Sequence, residues 1–373
     1  MAVFSQIILF VFVAATVVQL FFWLFVFSKL AFFKNQTPNT QNPKPVSVVI
    51  CARNEAENLR KNLPLILKQN YTDFEVVVVN DASEDGTTQV LSELSIAFKH
   101  LKVVEIIEKT SLGKKHALAV GIESAKNDWL LLTDADCYPL SMEWISGMIS
   151  GIVSKNIKLV LGYAPTETCD ASFLNKFIRF ETIWTATQYL GFALAGAPYM
   201  GVGRNLLYFK KLYNEAGGFT RHADLASGDD DLFVNQVITQ KNFTIILLPQ
   251  TFMYSKPKTR WKGYFIQKKR HLSAGKRYQW QHQAMLGAVS ISHFFWFVTL
   301  VCLLVSKIST IFVSANMIAR ISVMWFLNGR IYQKLRERGG LFWWTPILDA
   351  AYVFFYIIFS FTIFLRTSPR KWH

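Results

Sequence analysis

The apolar residues of this chain are concentrated in long runs near its two ends. The first run, Ala2 to Ser28, contains no charged residue, and three more runs follow at Met285 to Ser306, Ile308 to Leu327 and Phe342 to Leu365. A helix needs about 20 apolar residues to cross a bilayer. The pattern therefore predicts one N-terminal membrane helix and about three C-terminal ones, although the last two runs each carry one charged residue.

The first run fits an uncleaved anchor better than a cleaved signal peptide. A signal peptide has a basic segment followed by an apolar stretch of about 7 to 15 residues. Here no basic residue precedes the run, and the run is much longer. We expect it to remain in the membrane.

The middle of the chain follows a different pattern, in which short apolar runs alternate with helix-length segments. The runs are VSVVIC (46–51), FEVVVVN (74–80), LKVVEII (101–107) and WLLLT (129–133). Continuously apolar strands are typical of parallel sheets covered by helices on both faces. We predict an open α/β sheet whose right-handed crossovers bring the carboxyl ends of these strands to one edge.

Segments that contain polar residues directly follow three of these four strands. Ala52, Arg53, Asn54 and Glu55 come after the first strand, Asp81 after the second, and Asp134 and Asp136 after the fourth. Open α/β folds bind their ligands at this edge of the sheet. A structural protein has little need for acids and amides there, so the pattern indicates a ligand site.

Asp134 and Asp136 are the best candidates for binding a metal ion. On an extended chain, two residues at this spacing point to the same side. Carboxylate oxygens suit Mg²⁺ or Mn²⁺, and such an ion can neutralise the charge on a leaving diphosphate. Two acids at this spacing often occur by chance on a surface, but the buried strand before them favours a functional site.

The formal net charge of +15 is explained by clusters beside the apolar runs. Lys29 and Lys34 follow the first run, nine basic residues lie between Lys256 and Arg277, and another cluster spans 330–338. This distribution predicts contact with lipid headgroups and a central domain in the cytoplasm, at the inner membrane, and it argues against nucleic acid as a partner. With four spans the basic tail 366–373 would face outward, against the charge rule.

Six segments resemble the motifs of family 2 glycosyltransferases, in the family's order. They are VSVVICARNEAENL, EVVVVNDASEDGT, the Gly113-Lys114 pair, LLTDADC, SGDDDLF and IQKKRH, and they cover about 46 to 271. The resemblance implies the GT-A fold, a Rossmann-like and mostly parallel α/β sheet, flanked here by transmembrane helices. It also implies metal-dependent, inverting transfer of a sugar from a nucleotide-sugar donor, expected to be UDP-linked, to a lipid or glycan acceptor.

The resemblance also implies roles for the residues at the sheet edge. The segment Ala52 to Glu55 is similar to the family's first nucleotide-binding loop, and Asp81 is similar to the acid that recognises the uracil edge. Asp134 would serve the donor and the metal, and Asp136 the metal. Lys114 would approach the diphosphate, although a solvated lysine at a helix start is the alternative.

Asp229, Asp230 and Asp231 resemble the family's acidic motif, which supplies the catalytic base. Adjacent acids repel one another, which raises the pKa of at least one of them and suits a general base. Alternatively they cap a helix start. Counting back from Leu232 in the family pattern selects Asp229, and Asp230 remains the rival because Gly228 stands where the family has glutamate.

Gln267 and Arg270 resemble the polar residues of the family's QxxRW motif, which lies near the diphosphate and the acceptor. His271 stands where the family has tryptophan. The lysines of this segment have another interpretation, since a basic helix interleaved with aromatic residues lies well on anionic lipid.

Two further segments carry weaker expectations. Phe173 to Ala195 predicts an apolar helix, which either packs in a core or contacts the acceptor. At Gly201 and Gly203 the missing side chains would let the backbone approach the donor sugar closely.

These observations divide the chain and leave three functions open. We expect an N-terminal membrane helix at 1–33, a linker at 34–45, the glycosyltransferase domain at 46–255, a basic interfacial segment at 256–283 and a C-terminal membrane region at 284–373. A single-addition transferase is favoured over a processive polysaccharide synthase, because three C-terminal segments offer little material for a channel and the tryptophan is missing. A nucleotide-binding scaffold or transporter would not need the second acidic cluster.

Overall fold

The computed structural model describes residues 2–36, 43–108, 113–169, 172–337 and 340–365. Half of the predicted linker, residues 37–42, and the basic tail 366–373 lie outside these residues. The chain divides into a helical unit and a sheet unit. The helical unit holds the residues up to Phe33, Asp170–Ala197 and 278–365, and the sheet unit holds Lys34–Cys169 and Pro198–Arg277.

The helices are numbered in chain order. They are α1 Ala2–Phe21, α2 Ser28–Ala31, α3 Ala56–Leu67, α4 Thr87–Ala97, α5 Lys115–Ser124, α6 Trp144–Ser150, α7 Phe173–Leu194, α8 Lys210–Glu215, α9 Asp231–Val237, α10 Trp261–Ala274, α11 Trp280–Val305, α12 Thr310–Lys334 and α13 Leu341–Leu365. A π-helical segment, Phe22–Phe27, joins α1 to α2.

The strands form one large and one small sheet. They are β1 Val46–Ala52, β2 Phe74–Asp81, β3 Leu101–Ile106, β4 Trp129–Asp134, β5 Cys137–Pro139, β6 Leu159–Leu161, β7 Leu206–Phe209, β8 Phe243–Ile245 and β9 Met253–Ser255. The large sheet has the order β3-β2-β1-β4-β7-β6-β8, and β5 pairs with β9 in the small one.

The first four strands confirm the predicted parallel sheet. β1 pairs in parallel with β2 and β4, and β2 pairs in parallel with β3. Val48 lies opposite Val76 on one side and Leu131 on the other, and all three side chains are buried. Burial of such side chains on both faces stabilises the sheet and explains why these strands are continuously apolar.

The second half of the sheet departs from the parallel pattern. β7 runs antiparallel to both of its neighbours, β4 and β6, while β6 and β8 are parallel. β7 therefore lies beside β4 near the middle of the sheet. This arrangement places Gly203, just before β7, where it contacts Asp230 of the second acidic motif.

The helical unit contains three helices that are long and apolar enough to cross a membrane. They are Val3–Ala31, Trp280–Val305 and Thr310–Lys334. The fourth predicted span, 342–365, is helical as α13, but several of its side chains lie outside the described residues, so its crossing of the membrane remains a prediction. Within this unit, Phe12 and Trp296 stack with ring centroids 6.0 Å apart and join α1 to α11.

A polar cluster lies inside the helical unit. Arg320 on α12 pairs with Asp349 on α13 at 3.1 Å, and His293 on α11 lies 3.0 Å from the second oxygen of the same carboxylate. Gln19 on α1 accepts a hydrogen bond from Arg320 and donates one to Ser292. The cluster therefore links four helices, and it explains why two charged residues interrupt otherwise apolar runs.

Helix α7 belongs to the helical unit and is buried along most of its length. Trp184 packs against Trp23, with ring centroids 5.8 Å apart, and Phe192 packs against Phe27 at 5.9 Å. The predicted core-packing role of this segment is therefore observed, within the helical unit. Contact with an acceptor stays a prediction.

Candidate active site

Lys114 joins the two acidic motifs of the sheet unit. Its Nζ donates a hydrogen bond to Asp134 Oδ1 at 2.9 Å and lies 2.8 Å from Asp229 Oδ2. Burial alone lowers the pKa of Lys114, but the two carboxylates outweigh it and hold that pKa well above its usual value. Two acidic motifs from distant parts of the sequence thus meet around one positive charge.

The loop before α5 holds the acidic segment in place through its backbone. Gly113 has φ +73°, and a Cβ at this position would collide with the carbonyl oxygen of Ala226. Next to it, the buried Lys115 donates hydrogen bonds to the carbonyl oxygens of His222 and, at 3.1 Å, Leu225. Gly113 and Lys115 therefore fasten the chain that leads into Asp229.

The three consecutive acids have different partners. Asp230 Oδ2 accepts from the backbone N–H of Gly203 at 2.7 Å, and its Oδ1 accepts from Asp231 N at 2.8 Å, so Asp230 caps α9. Asp231 Oδ1 accepts from Leu232 N. The capping interpretation thus holds for Asp230, whereas the buried carboxylate of Asp229 is the one that meets Lys114.

Gly203 and Gly228 have specific steric reasons to lack side chains. A Cβ on Gly203 would lie 3.0 Å from Asp230 Cβ, so the missing side chain makes room for Asp230. A close approach of Gly203 to a donor sugar stays a prediction. Gly228 has φ +94°, and a Cβ there would lie only 2.4 Å from Leu232 Cδ1, which is closer than van der Waals contact allows. The positive φ and this close contact explain why a glycine stands at position 228.

Asp134 and Asp136 form a compact group of possible metal ligands with Cys137. Their ligand atoms lie within 4.8 Å of one another. Burial raises the pKa of Asp136, and the neighbouring charge of Asp134 raises it further. Burial also acts on Asp134, but Lys114 outweighs it and lowers that pKa. Asp136 is a partly buried acid whose ionised form is disfavoured, so it gains from a nearby cation, and with Asp134 beside it the pair fits a divalent ion.

The loops after β1 and β2 are joined by hydrogen bonds. Asn54 Oδ1 accepts from Glu84 N at 2.8 Å, and Asn54 N donates to Ser83 Oγ at 3.0 Å. Asp85 accepts from the backbone N–H groups of Ala56 and Thr87. The side chain of Asn54 is thus used to hold the two loops together, a role that the sequence alone did not indicate.

The remaining predicted nucleotide-binding residues lie at the ends of the same two strands. Ala52 and Asp81 are the last residues of β1 and β2, and both are buried. Arg53 is half-buried in the β1 loop, and Glu55, whose pKa is raised by burial, accepts a hydrogen bond from Asn58 at 2.6 Å. The β1 and β2 ends therefore bring these four residues to one edge of the sheet.

Helix α10 carries Gln267, Arg270 and His271. The backbone carbonyl of Arg270 accepts a hydrogen bond from Ser227 Oγ at 3.0 Å, which ties α10 to the segment before Asp229. The positive charge of Arg270 contributes to lowering the pKa of Asp134. Gln267 is half-buried and His271 is exposed. The structure therefore brings Arg270 to the acidic cluster.

Part of the chain matches a known family of enzymes. Residues 47–217 match the sequence model of glycosyl transferase family 2, which is somewhat less than half of the chain. This region is therefore similar to the family 2 glycosyltransferases. It includes Lys114, Asp134 and Asp136, while Asp229 and α10 lie beyond the matched region.

Three curated relatives match parts of the chain. Glycosyltransferase AglE of Haloferax volcanii is 35% identical over 31% of this chain and 38% of its own length. A poly-beta-1,6-N-acetyl-D-glucosamine synthase of Staphylococcus epidermidis is 27% identical over 30% and 25%, and an undecaprenyl-phosphate 4-deoxy-4-formamido-L-arabinose transferase of Aeromonas hydrophila is 34% identical over 26% and 31%. The matched part is thus less than half of each of these relatives.

One solved structure shares the fold over most of its length. It is the mannosyltransferase PcManGT of Pyrobaculum calidifontis in complex with GDP-Man and Mn²⁺, with a TM-score of 0.61 and 18% identity over 93% of this chain and 97% of that one. The sheet of the glycosyltransferase domain is therefore of the GT-A type, as predicted.

Sequence reasoning missed two charged residues at this site. Arg204 donates a hydrogen bond to Ser255 Oγ at 2.5 Å. Its charge adds to the lowering of the pKa of Asp134 and partly offsets the rise in the pKa of Asp136. The second residue is Lys115, which binds the carbonyls of His222 and Leu225. The helix dipole disfavours a cation at a helix start, so a lysine at this position indicated that another contact holds it.

Proposed function

We propose that the chain is a membrane-bound, metal-dependent glycosyltransferase that moves a sugar from a nucleotide-sugar to a lipid or glycan acceptor with inversion. The observation that carries this proposal is the position of Lys114, whose Nζ contacts Asp134 at 2.9 Å and Asp229 at 2.8 Å. Lys114 thus contacts both Asp134, the acid expected at the donor, and Asp229, the acid expected at the acceptor.

The donor would lie along the edge formed by the ends of β1, β2 and β4. Asp81 and Arg53 are the candidates for holding the nucleoside, which we expect to be uridine. Lys114 and Arg270 supply positive charge for the diphosphate, and Gln267 lies on the same helix as Arg270. Cations that contact the diphosphate stabilise the charge that develops on the leaving group.

Asp134 and Asp136 would hold the Mg²⁺ or Mn²⁺ ion. When bound, the ion would neutralise part of the charge on the diphosphate. The GDP-Man and Mn²⁺ complex of the mannosyltransferase with the same fold supports this assignment, although that protein's nucleoside differs from the one we expect here.

Asp229 is the proposed general base. It would take the proton of the acceptor hydroxyl while that oxygen forms a bond to the anomeric carbon. The bond between this carbon and the diphosphate oxygen breaks, and its electron pair leaves with the diphosphate. Attack from the side opposite the leaving group inverts the anomeric configuration. Asp230 is the less suitable base, because both of its oxygens already accept backbone N–H groups.

The acceptor is proposed to be a lipid or a lipid-linked glycan. Three helices long and apolar enough for a bilayer belong to the same chain, and basic residues crowd beside them, so we place the catalytic domain on the cytoplasmic side of the cell membrane. Lipid-linked sugar transferases and polysaccharide synthases both occur among the relatives, and the synthase is therefore the second candidate.

One partition experiment separates these candidates. Membranes that contain the full chain are incubated with radiolabelled UDP- and GDP-linked sugars and Mn²⁺, and the label is then divided between organic extract and large polymer. We expect label in the organic extract. Label in large polymer would identify a processive synthase, and a protein that binds a donor without transferring or hydrolysing it would be the nucleotide-binding scaffold.

The metal assignment has its own test. Asp136→Ala should abolish transfer and weaken binding of Mn²⁺, measured by electron paramagnetic resonance, without changing the melting temperature. Asp128→Ala serves as the control, since this acid precedes β4 at the other end of the strand. Undiminished turnover by Asp136→Ala would remove the carboxylate from the proposed metal site.

A further inference from the structure

A groove on the helical unit follows one stripe of α12. Ser322, Trp325, Phe326, Gly329, Arg330 and Gln333 line it, and Phe342 of α13 completes it, with a volume of about 390 Å³. The α12 residues recur at the helical spacing of three and four, so they occupy one face of the helix. Part of this face is open, since Phe326 is 63% exposed.

The groove has an apolar part and a positively charged end. Trp325 and Phe342 stack with centroids 5.1 Å apart and form its aromatic wall. Gly329 lets the ring of Phe342 lie close to α12, because a Cβ at this position would be only 3.3 Å from that ring. Arg330 and Gln333 follow toward the last turn of α12, where Lys334 also lies.

Arg330 contributes a positive charge at one end of the groove. Among the residues that the structure describes, no carboxylate pairs with Arg330, and its guanidinium lies 5.5 Å from the ring of Phe32. Glu337, the acid next along the chain, pairs with Arg179 instead. An arginine fixed beside an aromatic ring at the end of an apolar groove suits a phosphate group that is attached to a hydrocarbon chain.

We propose that this groove binds an anionic phospholipid of the bilayer, with the phosphate at Arg330 and Gln333 and an acyl chain along Trp325 and Phe326. The proposal rests on membrane insertion of the helical unit and not on sugar transfer. Basic pockets between membrane helices on the cytoplasmic side are suited to such headgroups.

The test measures lipid binding by the full chain in detergent, by native mass spectrometry, with phosphatidylglycerol and phosphatidylcholine of identical acyl chains. We expect phosphatidylglycerol to bind more tightly. Arg330→Gln should remove about a fivefold preference, the effect of one basic residue near a charged headgroup. Arg330→Lys should retain most of it, because the charge remains.

Two more variants distinguish a shaped groove from simple attraction of anions. Ser322→Trp fills the groove and should weaken binding of both lipids. Phe326→Ala, which should weaken binding to a smaller extent, provides the same test if the Ser322→Trp variant does not fold. Lys307→Gln, at the opposite end of α12, should change neither. Equal losses in Lys307→Gln and Arg330→Gln, or displacement of the lipid by inorganic phosphate alone, would overturn the proposal.

Discussion

The ammonium of Lys114 lies 2.8 Å from Asp229 Oδ2, although the four helices α5 to α8 and the four strands β4 to β7 separate these residues in the sequence. Lys114 directly precedes α5, and Asp229 precedes the capping residue of α9. Their contact depends on Gly113, which packs against Ala226, and on Lys115, which binds the carbonyls of His222 and Leu225. The relative positions of the proposed base and the proposed donor site are thus set by one short loop.

Asp229→Asn and Asp230→Asn should separate catalysis from folding. Asp229→Asn keeps the shape of the side chain but removes the proton acceptor, so we expect the transfer rate to fall by about 100-fold or more, with donor binding retained. In Asp230→Asn one of the two carboxylate oxygens becomes an amide nitrogen, which cannot accept from Gly203 N or Asp231 N. We expect this variant to lose about 1 to 2 kcal/mol of its free energy of unfolding. Rates and thermal unfolding of both variants check this, and the reverse pattern would make Asp230 the base.

Gly113→Ala should disrupt the loop that carries Lys114. The positive φ and the collision with Ala226 predict a loss of more than about 1 kcal/mol of stability, together with weaker donor binding. Gly86→Ala is the matched control, because a Cβ there meets only Ala56 Cβ at an ordinary 3.7 Å. If thermal unfolding and donor titration find the two variants alike, the close approach of Gly113 to Ala226 is not required.

His222 should make the stability of the sheet unit depend on pH. Burial, aided by Lys115, lowers the pKa of His222 from 6.5 to about 4 in the folded state. As the pH falls below about 6.5, the unfolded chain binds a proton that the folded chain does not, so stability decreases until about pH 4 and then levels off. The largest possible loss is roughly 3 kcal/mol.

The measurement is thermal unfolding between pH 7.5 and 4 of the wild type and of His222→Asn. The asparagine amide can still donate to the carbonyl of Phe219, as the Nδ1 of His222 is placed to do at 3.1 Å. The variant should lose stability less steeply over this range. Parallel curves would mean that His222 is not kept neutral by its surroundings.

Arg320→Met should destabilise the helical unit by about 3 to 5 kcal/mol, because it leaves the buried carboxylate of Asp349 without its cation. Replacing both partners, Arg320→Met with Asp349→Leu, should recover much of this loss. Thermal unfolding in detergent checks the series, with Lys307→Met as an exposed control. A double variant as unstable as the single one would assign the loss to the packing of Arg320 on Trp296, whose ring centroid lies 4.2 Å away.

The parallel half of the sheet could be predicted because its pattern is local. Continuous apolar runs predicted strands at 46–51 and 129–133, and the structure has them at Val46–Ala52 and Trp129–Asp134. The antiparallel insertion of β7 beside β4 could not be predicted in this way, because Leu206–Phe209 is a short apolar segment whose partner is far away in the sequence. Pairing of that kind is decided by packing across the whole sheet.

The sequence by itself indicated which residues are candidates for the chemistry: the acids after β1, β2 and β4, the Gly113-Lys114 pair and the acidic triplet. It did so because strand periodicity and motif spacing are properties of nearby residues. Only the tertiary structure decided that Asp229 contacts Lys114 while Asp230 caps α9, that Asn54 joins two loops, and that α7 packs in the helical unit. These outcomes depend on which distant segments meet, and therefore on backbone donors and van der Waals contacts that no local pattern records.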